Sequence, residues 1–492
     1  MHYVAIFHAN LNYAYLTPPY YERTIRASYE TILDTFRERC PEARFVFEAS
    51  GYTIDQIAAL TPDVLEKLKH AIASGQCEFM GSPYSHPMLA NFPEEDGRWA
   101  NEFAMRAYEK HLGFRPESGW NPECSWAQYV PRTYRDVGYR YLTLDFESFK
   151  ICNDPAYSWV ERNRTRDMGW GGNLPWFDLD PDDPHLHRPF RDVVPGLHGF
   201  CRSDRCANRA NGYFLGRLPL DDYIANVRRW SGTKDEGALL IVADDAEYCG
   251  TTGYFYVKHF TDYSKCFAVD PRAGEKLEAL VKAVLELGPM ITFKEACEGE
   301  PVDEPYFVED TFAWHRTYAS VWASTPESLR YDPQIALLRQ DYKDNVQAAA
   351  EADPELAPLA EQFWLHLTNA ENSDGRWPPP PAETCPFQRE WVEKELAAAR
   401  DVLERLKQRT PEPSAPPPDE EAGEEAEVGC LEAAELERLT WVGLQRSLYH
   451  AYKLYEGGAD DEAREEGKRR IALIYDEYAR RGVTRVVRPT LT

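Results

Sequence analysis

Short apolar runs alternate with helix-like patterns through about the first 300 residues, and this alternation constrains the fold of the chain most. The candidate strands are residues 3–8, 44–48, 76–80, 119–121, 139–145 and 239–243, with weaker ones at 192–197 and 290–292. Strands that alternate with helices are typical of a parallel sheet joined by crossover helices. Seven or eight such units predict an α/β fold closed into a barrel, with an open doubly wound sheet as the alternative.

Polar side chains lie at or just after the carboxyl ends of these predicted strands. They are His8, Glu48, Glu78, Glu123, Asp145 and Asp245. In parallel α/β folds, this edge of the sheet is where ligands bind. A single acid there would mean little, because acids also cap helices. Six such residues brought to one edge predict a functional site.

Two acidic segments carry the strongest chemical signal. One is Gly119-Trp120-Asn121-Pro122-Glu123-Cys124-Ser125-Trp126, in which one carboxylate lies between two tryptophans. The other is Ala243-Asp244-Asp245-Ala246-Glu247-Tyr248-Cys249-Gly250. Two carboxylates at strand ends with aromatic walls suit the cleavage of glycosidic bonds, in which one acid attacks and the other transfers a proton.

The composition excludes several classes of partner. The formal net charge of −27 argues against nucleic acid and anionic membrane surfaces, because like charges repel. No run approaches the roughly 20 apolar residues of a membrane helix. None of the 11 cysteines forms a Cys-x-x-Cys pair, and the amino terminus lacks a basic leader. We therefore expect a cytoplasmic protein, and the charge is compatible with a neutral polymer such as a glucan as its ligand.

Four segments follow from the pattern along the chain. Residues 1–304 are predicted to form the barrel, and residues 305–410 a helical domain with amphipathic helices at 334–350 and 390–406. Residues 411–429 are acidic and rich in proline, which is typical of a linker. Residues 430–492 are a C-terminal helical segment with a helix at 464–481. This segment either packs back on the helical domain or forms a separate interaction module.

Five short motifs resemble glycoside hydrolase family 57 in order and spacing. They are Phe7-His8-Ala9-Asn10-Leu11, Gly75-Gln76-Cys77-Glu78-Phe79, Trp120-Asn121-Pro122-Glu123, Asp245-Ala246-Glu247-Tyr248-Cys249-Gly250 and Ala370-Glu371-Asn372-Ser373-Asp374-Gly375-Arg376-Trp377. The family contains α-amylases, 4-α-glucanotransferases and glycogen-branching enzymes. The resemblance implies an incomplete seven-stranded (β/α) barrel, a helical bundle domain that lines the cleft, and a retaining mechanism without a metal or other cofactor.

The resemblance also implies residue roles. Glu123 matches the family's nucleophile and Asp245 its general acid/base, with Asp244 left as a rival for the second role. The expected substrate-binding residues are His8, Asn10, Glu78, Trp120, Trp126, Asp374 and Trp377. Tyr84, Trp170 and Trp176 are further candidates for stacking on sugar rings. Asn10 stands where many family members have histidine or glutamine nearby, so the preferred substrate stays open.

The favoured hypothesis is a retaining hydrolase of α-1,4-glucans or related α-glycosides. Transglycosylation by a 4-α-glucanotransferase or a branching enzyme is the close alternative, because the two differ only in how well water is kept from the intermediate. A metal-dependent polysaccharide deacetylase would need clustered histidine and aspartate ligands. His8 and His86 are far apart in the sequence, and no second histidine lies near His86. A catalytically silent carbohydrate-binding relative is the remaining alternative.

Overall fold

A computed structural model describes residues 1–13, 15–154, 179–233, 236–308, 322, 325–376, 385–410, 447, 451 and 461–480. Its strands are β1 (His2–Ala9), β2 (Phe45–Ser50), β3 (Cys77–Ser82), β4 (Ser118–Gly119), β5 (Tyr141–Asp145), β6 (Phe190–Val194), β7 (Leu197–Arg202) and β8 (Ala238–Asp245). They form one sheet in the order β6-β7-β5-β4-β3-β2-β1-β8. From β7 to β8 this order contains seven parallel strands, and β6 pairs antiparallel with β7. The predicted incomplete (β/α)7 barrel is confirmed.

The barrel is open between β7 and β8, the two ends of the parallel set. In the described part of the chain, no strand pairing joins them. A side chain bridges the seam instead, since Arg202 Nε donates a hydrogen bond to the Ala243 carbonyl at 3.1 Å. On the other side of β8, His8 of β1 lies in register with Asp245 and with Glu48 of β2. Three polar side chains therefore stand at one level of the sheet.

Helices connect the strands and build the second half of the chain. The α-helices before the last strand are Pro18–Thr24, Thr31–Asp34, Gly51–Leu60, Pro62–Ala73, Glu94–Leu112, Val130–Arg135, Phe146–Asn153, Pro184–His187, Asp204–Phe214 and Leu220–Trp230. Those after it are Glu247–Gly250, Phe255–Phe260, Ala273–Leu285, Phe293–Cys297, Pro326–Asn345, Gln347–Ala352, Ala357–Asn369, Pro386–Arg409 and Asp461–Arg480. Ile25–Glu30 and Thr35–Arg39 are π-helical, and Leu89–Asn91, Pro122–Cys124, Tyr263–Lys265 and Asp374–Arg376 are 3₁₀ turns.

Three details of the predicted strands are wrong. The weak strand at 192–197 spans the turn of a hairpin, in which Val194 of β6 pairs with Leu197 of β7. The strand at 290–292 is only an isolated bridge between Met290 and Tyr3. Glu78 is the second residue of β3, near the amino end of the strand instead of the carboxyl end.

The helices after residue 325 have a core of their own. Its buried side chains include Tyr331, Ile335, Phe363 and Val392, and it extends to Phe103 of the helix Glu94–Leu112. Because one cluster includes side chains from both parts, the helices pack directly on the outer layer of the barrel.

The predicted domain boundaries stay predictions. The linker at 411–429 lies outside the described residues, as do Trp170, Trp176 and Trp377. Of the segment 430–492, the structure describes positions 447 and 451 and the helix Asp461–Arg480.

None of the helices in the described ranges is both long enough and apolar enough to cross a membrane.

Candidate active site

A pocket opens at the carboxyl ends of the strands. It is lined by His8, Asn10, Tyr13, His86, Trp120, Glu123, Cys124, Arg202, Ala243, Asp244, Asp245, Tyr254 and Asp374. Both acids predicted to be catalytic therefore face the same space, as do four of the residues predicted to bind substrate. Those four are His8, Asn10, Trp120 and Asp374.

Glu123 lies in a tight turn directly after β4. The backbone φ angles of Glu123 and Cys124 are 54° and 48°, in the left-handed region that side chains rarely adopt. Such strain costs of order 1 kcal/mol per residue and persists only where the surroundings fix it. Asn121 fixes the turn, because its side-chain amide donates to the Ser125 carbonyl. The turn holds the Glu123 carboxylate at the pocket, where Ser373 Oγ donates to its Oε1 at 3.0 Å.

Asp245 is the last residue of β8 and is held by a tyrosine. The Tyr13 hydroxyl donates to Asp245 Oδ2 at 2.6 Å. Burial raises the pKa of Asp245 well above its ordinary value, and the negative charges of Asp244 and Glu247 add to this effect. The positive charge of His8 and the hydrogen bond from Tyr13 oppose it without reversing it. These surroundings therefore favour the protonated form of Asp245, as a general acid requires.

Two histidines whose pKa values are shifted in opposite directions meet in the pocket. The His8 ring lies 5.0 Å from that of His86, although the two are far apart in the sequence. Burial lowers the pKa of His8, but the charge and the hydrogen bond of the buried Glu48 raise it to about 10. The pKa of His86 falls well below its ordinary value, because of burial and the positive charge of His8. The pocket thus pairs a charged imidazolium with a neutral imidazole.

Trp120 supports His8. Its ring stacks on the imidazole with a centroid distance of 4.9 Å and an interplanar angle of 15°. The guanidinium of Arg202 lies 6.0 Å from the same indole ring. His8 covers one face of Trp120, and the indole forms part of the pocket wall.

The helical part of the molecule contributes a second wall of the pocket. Asn372 Nδ2 donates to the Ser85 carbonyl at 2.8 Å, and the Ser373 backbone N–H donates to the His86 carbonyl at 3.1 Å. These bonds hold Asp374 against the barrel, where its Oδ2 accepts from Asn10 Nδ2 at 3.5 Å.

One group of side chains could hold a metal ion. Ligand atoms of His86, Glu123 and Asp374 lie within 4.8 Å of one another. His86 Nδ1 lies 3.3 Å from Ser373 Oγ, and its Nε2 has no hydrogen-bond partner among the described residues. The same donors and acceptors also suit the hydroxyl groups of a sugar.

Two predicted binding residues lie elsewhere. Glu78 bonds to the Ser118 hydroxyl, and its Oε2 accepts from the Lys294 backbone N–H at 2.9 Å, near the amino ends of the strands. Trp126 is buried edge-on against Tyr306, with ring centroids 4.9 Å apart. Neither lines the pocket. Tyr84 does not line it either, and its hydroxyl donates to Asp55.

Several residues of the pocket were missed from the sequence. The lining residues among them are Tyr13, His86, Arg202 and Tyr254, and Ser373 lies beside the pocket as the donor to Glu123. Arg202 ends β7, the strand that the sequence pattern did not reveal, and it bonds to Asp204 at 2.8 Å. Tyr13 follows β1 by four residues, so its position just past a predicted strand end was a usable signal. His86 and Ser373 meet across 287 positions, a pairing that no local pattern contains.

Part of the chain is similar in sequence to known proteins. The sequence model described as Glycosyl hydrolase family 57 matches residues 3–167. An α-amylase of Pyrococcus abyssi is 25% identical over 199 residues, which are 39% of this chain and 28% of that protein. A 4-α-glucanotransferase of Thermococcus litoralis is 28% identical over 125 residues, which are 25% of this chain and 19% of that protein. Each match thus spans less than a third of the relative's length.

Solved structures share the fold along the chain. An α-amylase of Thermotoga maritima superposes with a TM-score of 0.57 at 12% identity, covering 99% of both chains. A family 57 branching enzyme of Thermococcus kodakaraensis gives a TM-score of 0.53 at 12% identity, covering 100% of this chain and 98% of that one. The amino-terminal sequence and the fold together confirm the resemblance of this chain to glycoside hydrolase family 57.

Proposed function

We propose that this protein is a retaining glycoside hydrolase that acts on α-1,4-glucans or related α-glycosides. One observation carries the proposal. Glu123 and Asp245 line the same pocket, and the surroundings of Asp245 raise its pKa as a proton donor requires. The names of the matched relatives, an α-amylase and a 4-α-glucanotransferase, support the substrate class.

The mechanism divides the reaction between these two acids. Glu123 attacks the anomeric carbon while Asp245 gives its proton to the leaving glycosidic oxygen, and a covalent glycosyl-enzyme forms. Asp245, now ionised, removes a proton from an incoming water molecule, whose oxygen displaces Glu123. Two inversions at one carbon leave its configuration unchanged.

The other pocket residues position the sugar. His8 uses Nδ1 to bind Glu48, so the Nε2–H of its imidazolium is left to donate to a sugar hydroxyl. Asn10 and Asp374 meet at 3.5 Å and offer a further donor and acceptor. Ser373 orients the nucleophile through its bond to Glu123. Groups fixed in this way lose little entropy when the substrate binds.

Substitution of Glu123 tests the assignment of the nucleophile. Glu123→Ala should lower kcat by about 10³-fold or more, because no other group can form the glycosyl-enzyme. Sodium azide should restore turnover and yield a glycosyl azide of inverted configuration, which chromatography and NMR would identify. Glu22→Ala, an exposed acid on the helix Pro18–Thr24, is the matched control and should keep the wild-type rate. Retention of wild-type activity by Glu123→Ala would contradict the proposal.

The acid/base role predicts a dependence on the leaving group. Asp245→Asn should slow the cleavage of maltoheptaose far more than that of 4-nitrophenyl α-maltoside, because a nitrophenolate needs little protonation to leave. Asp244→Asn is the control, since Asp244 lines the same pocket and is the rival for the role. Equal losses on both substrates for Asp245→Asn, or the selective loss in Asp244→Asn, would reassign the proton donor.

Transglycosylation by a 4-α-glucanotransferase or a branching enzyme uses the same two acids with a sugar hydroxyl in place of water. Incubation with maltoheptaose and with amylose separates the activities. Hydrolysis increases the number of reducing ends. Transfer changes chain length or branching while that number stays constant.

A metal-dependent polysaccharide deacetylase is the second candidate, favoured by one observation. His86, Glu123 and Asp374 could share a metal ion, and His8 lies beside His86. Under this alternative, EDTA abolishes the release of acetate from an acetylated polysaccharide, and Zn²⁺ restores it. Activity on an α-glucan that is insensitive to EDTA argues for the two-carboxylate mechanism. Binding of α-glucans with no turnover would instead favour the catalytically silent alternative.

A further inference from the structure

Residues 254–265, here called the aromatic arm, present large apolar side chains to solvent. The arm contains the helix Phe255–Phe260 and the turn Tyr263–Lys265. Phe260 is 63% exposed and Tyr263 is 53% exposed. Exposed aromatic side chains that share one surface element mark a site of interaction more often than a lone exposed residue does.

The base of the arm is fixed by backbone pairing. The Phe267 N–H donates to the Gly253 carbonyl at 2.7 Å, and the Thr252 N–H donates to the Ala268 carbonyl at 2.9 Å. The Ala268 N–H in turn donates to Thr252 Oγ1 at 2.9 Å. Thr261 ends the helix with a φ of 55°, which turns the chain back toward this base. The exposed rings are therefore held in place before any ligand binds, which reduces the entropy lost on binding.

The arm is continuous with the pocket. Tyr254, its first residue, lines the pocket and contacts Tyr13 edge-on at 5.1 Å. At the other end of the arm, Tyr263 contacts Tyr15 edge-on at 5.7 Å. The helix Phe255–Phe260 rises about 9 Å along its axis. It joins Tyr254, which lines the pocket, to the exposed ring of Phe260.

We propose that the aromatic arm binds the sugar residues of an α-glucan chain that extends beyond the pocket. Flat exposed rings match the apolar faces of pyranoses. The net charge of −27 disfavours an anionic polymer as the occupant. This inference rests on the proposed function and adds a preference for long chains over short oligosaccharides.

Chain-length dependence tests the proposal. The double variant Phe260→Ala/Tyr263→Ala should lower kcat/KM for amylose about tenfold, because two stacking contacts are lost. For maltotriose it should stay within twofold of wild type. Tyr263→Phe keeps the ring and should keep amylose activity. Leu60→Ala is the matched control, because Leu60 is 40% exposed at the far end of the helix that follows β2, away from the pocket.

The outcomes distinguish failure of the proposed glucan site on the aromatic arm from failure of the proposed function. If wild type cleaves both substrates and the double variant loses equally on both, or on neither, the aromatic arm is not a glucan site. Sedimentation velocity on the same proteins identifies the rival occupant, since dissociation of an oligomer by the double variant would assign the arm to contact between copies. If wild type acts on neither substrate in any metal condition, the proposed function fails and this inference fails with it.

Discussion

At the scale of single residues, the candidate site depends on side chains held in unusual states. Glu123 and Cys124 adopt left-handed backbone angles, and Asp245 is an acid whose pKa is raised by burial. Each state raises the free energy of the folded protein when taken alone. Asn121 keeps the turn at Glu123, while burial and the negative charges of Asp244 and Glu247 keep the pKa of Asp245 raised.

Removal of the Tyr13 hydroxyl should move the pH dependence of the reaction. The hydrogen bond from Tyr13 favours the ionised form of Asp245 and so lowers its pKa. Tyr13→Phe should therefore raise the pKa of Asp245. Because Asp245 must be protonated to act as the acid, the alkaline limb of kcat/KM should move to higher pH. A pH–rate profile on maltoheptaose measures this shift.

A tyrosine outside the pocket provides the control for that profile. The Tyr52 hydroxyl pairs with that of Tyr21 at 3.4 Å, so Tyr52→Phe should leave both limbs unchanged. An alkaline limb that stays in place, or moves to lower pH, in Tyr13→Phe would show that Tyr13 does not tune the acid.

At the scale of elements, the sequence was informative wherever a strand was an uninterrupted apolar run. β1 and β8 have such runs and were predicted within a few residues, and both place polar side chains at the pocket. β7 was missed because His198 and Gly199 interrupt its apolar pattern. Glu78 was misplaced because a strand's end cannot be read from its composition alone. The ladder between β2 and β3 runs on to Ser82 and so sets that end.

A buried ionic cluster joins the helical part to the barrel. Arg339 of the helix Pro326–Asn345 donates through Nε to Asp96 Oδ1 at 2.9 Å and through Nη2 to Glu371 Oε1 at 3.1 Å. All three side chains are buried. Arg339→Met should lower the free energy of unfolding by about 3–5 kcal/mol, because the buried acids Asp96 and Glu371 lose the cation that both contact. Urea unfolding followed by tryptophan fluorescence measures the loss.

An exposed arginine of the neighbouring helix is the matched control. Arg400 lies on the helix Pro386–Arg409 and contacts Gln334 at the surface at 3.4 Å. Arg400→Met should change stability by less than about 0.5 kcal/mol. If Arg339→Met is equally mild, the cluster does not hold the two parts together. Arg339 also holds Glu371, which stands two and three residues before Ser373 and Asp374 at the pocket. The Arg339→Met variant should therefore also lose catalytic activity.

At the scale of the whole molecule, the site exists only because distant parts of the chain meet. Ser373 reaches Glu123 across 250 positions, and Tyr13 reaches Asp245 across 232. The sequence motifs marked most of the participants, since each motif is local. Their partners could not be predicted, because such pairings arise from the closure of the barrel and the docking of the helices on it. The fold class was therefore predictable, while the hydrogen bonds that orient the site were not.

The helix Asp461–Arg480 is the last one that the structure describes, and it belongs to the C-terminal segment. Ile471, Ile474 and Tyr475 of the helix Asp461–Arg480 are buried, with 1%, 1% and 2% of their surface exposed. A helix in a separate module can unfold independently of the barrel. A helix packed on the barrel unfolds together with it. None of the hydrophobic core clusters in the described barrel and helical part contains these three residues, so both alternatives that the sequence left open remain.

If the helix packs on the barrel or the helical part, Ile474→Ala should destabilise the whole protein by about 2–5 kcal/mol, the usual cost of a cavity in a packed core. The helix Asp461–Arg480 contains no tryptophan, so tryptophan fluorescence during urea unfolding reports on the rest of the chain. The midpoint of that transition should fall. Ala472→Ser, at an exposed position of the same helix, should leave it within about 0.5 kcal/mol of wild type. If Ile474→Ala instead leaves the fluorescence transition unchanged while circular dichroism shows a loss of helix, the segment folds as a module of its own, since only an uncoupled helix can melt without the barrel.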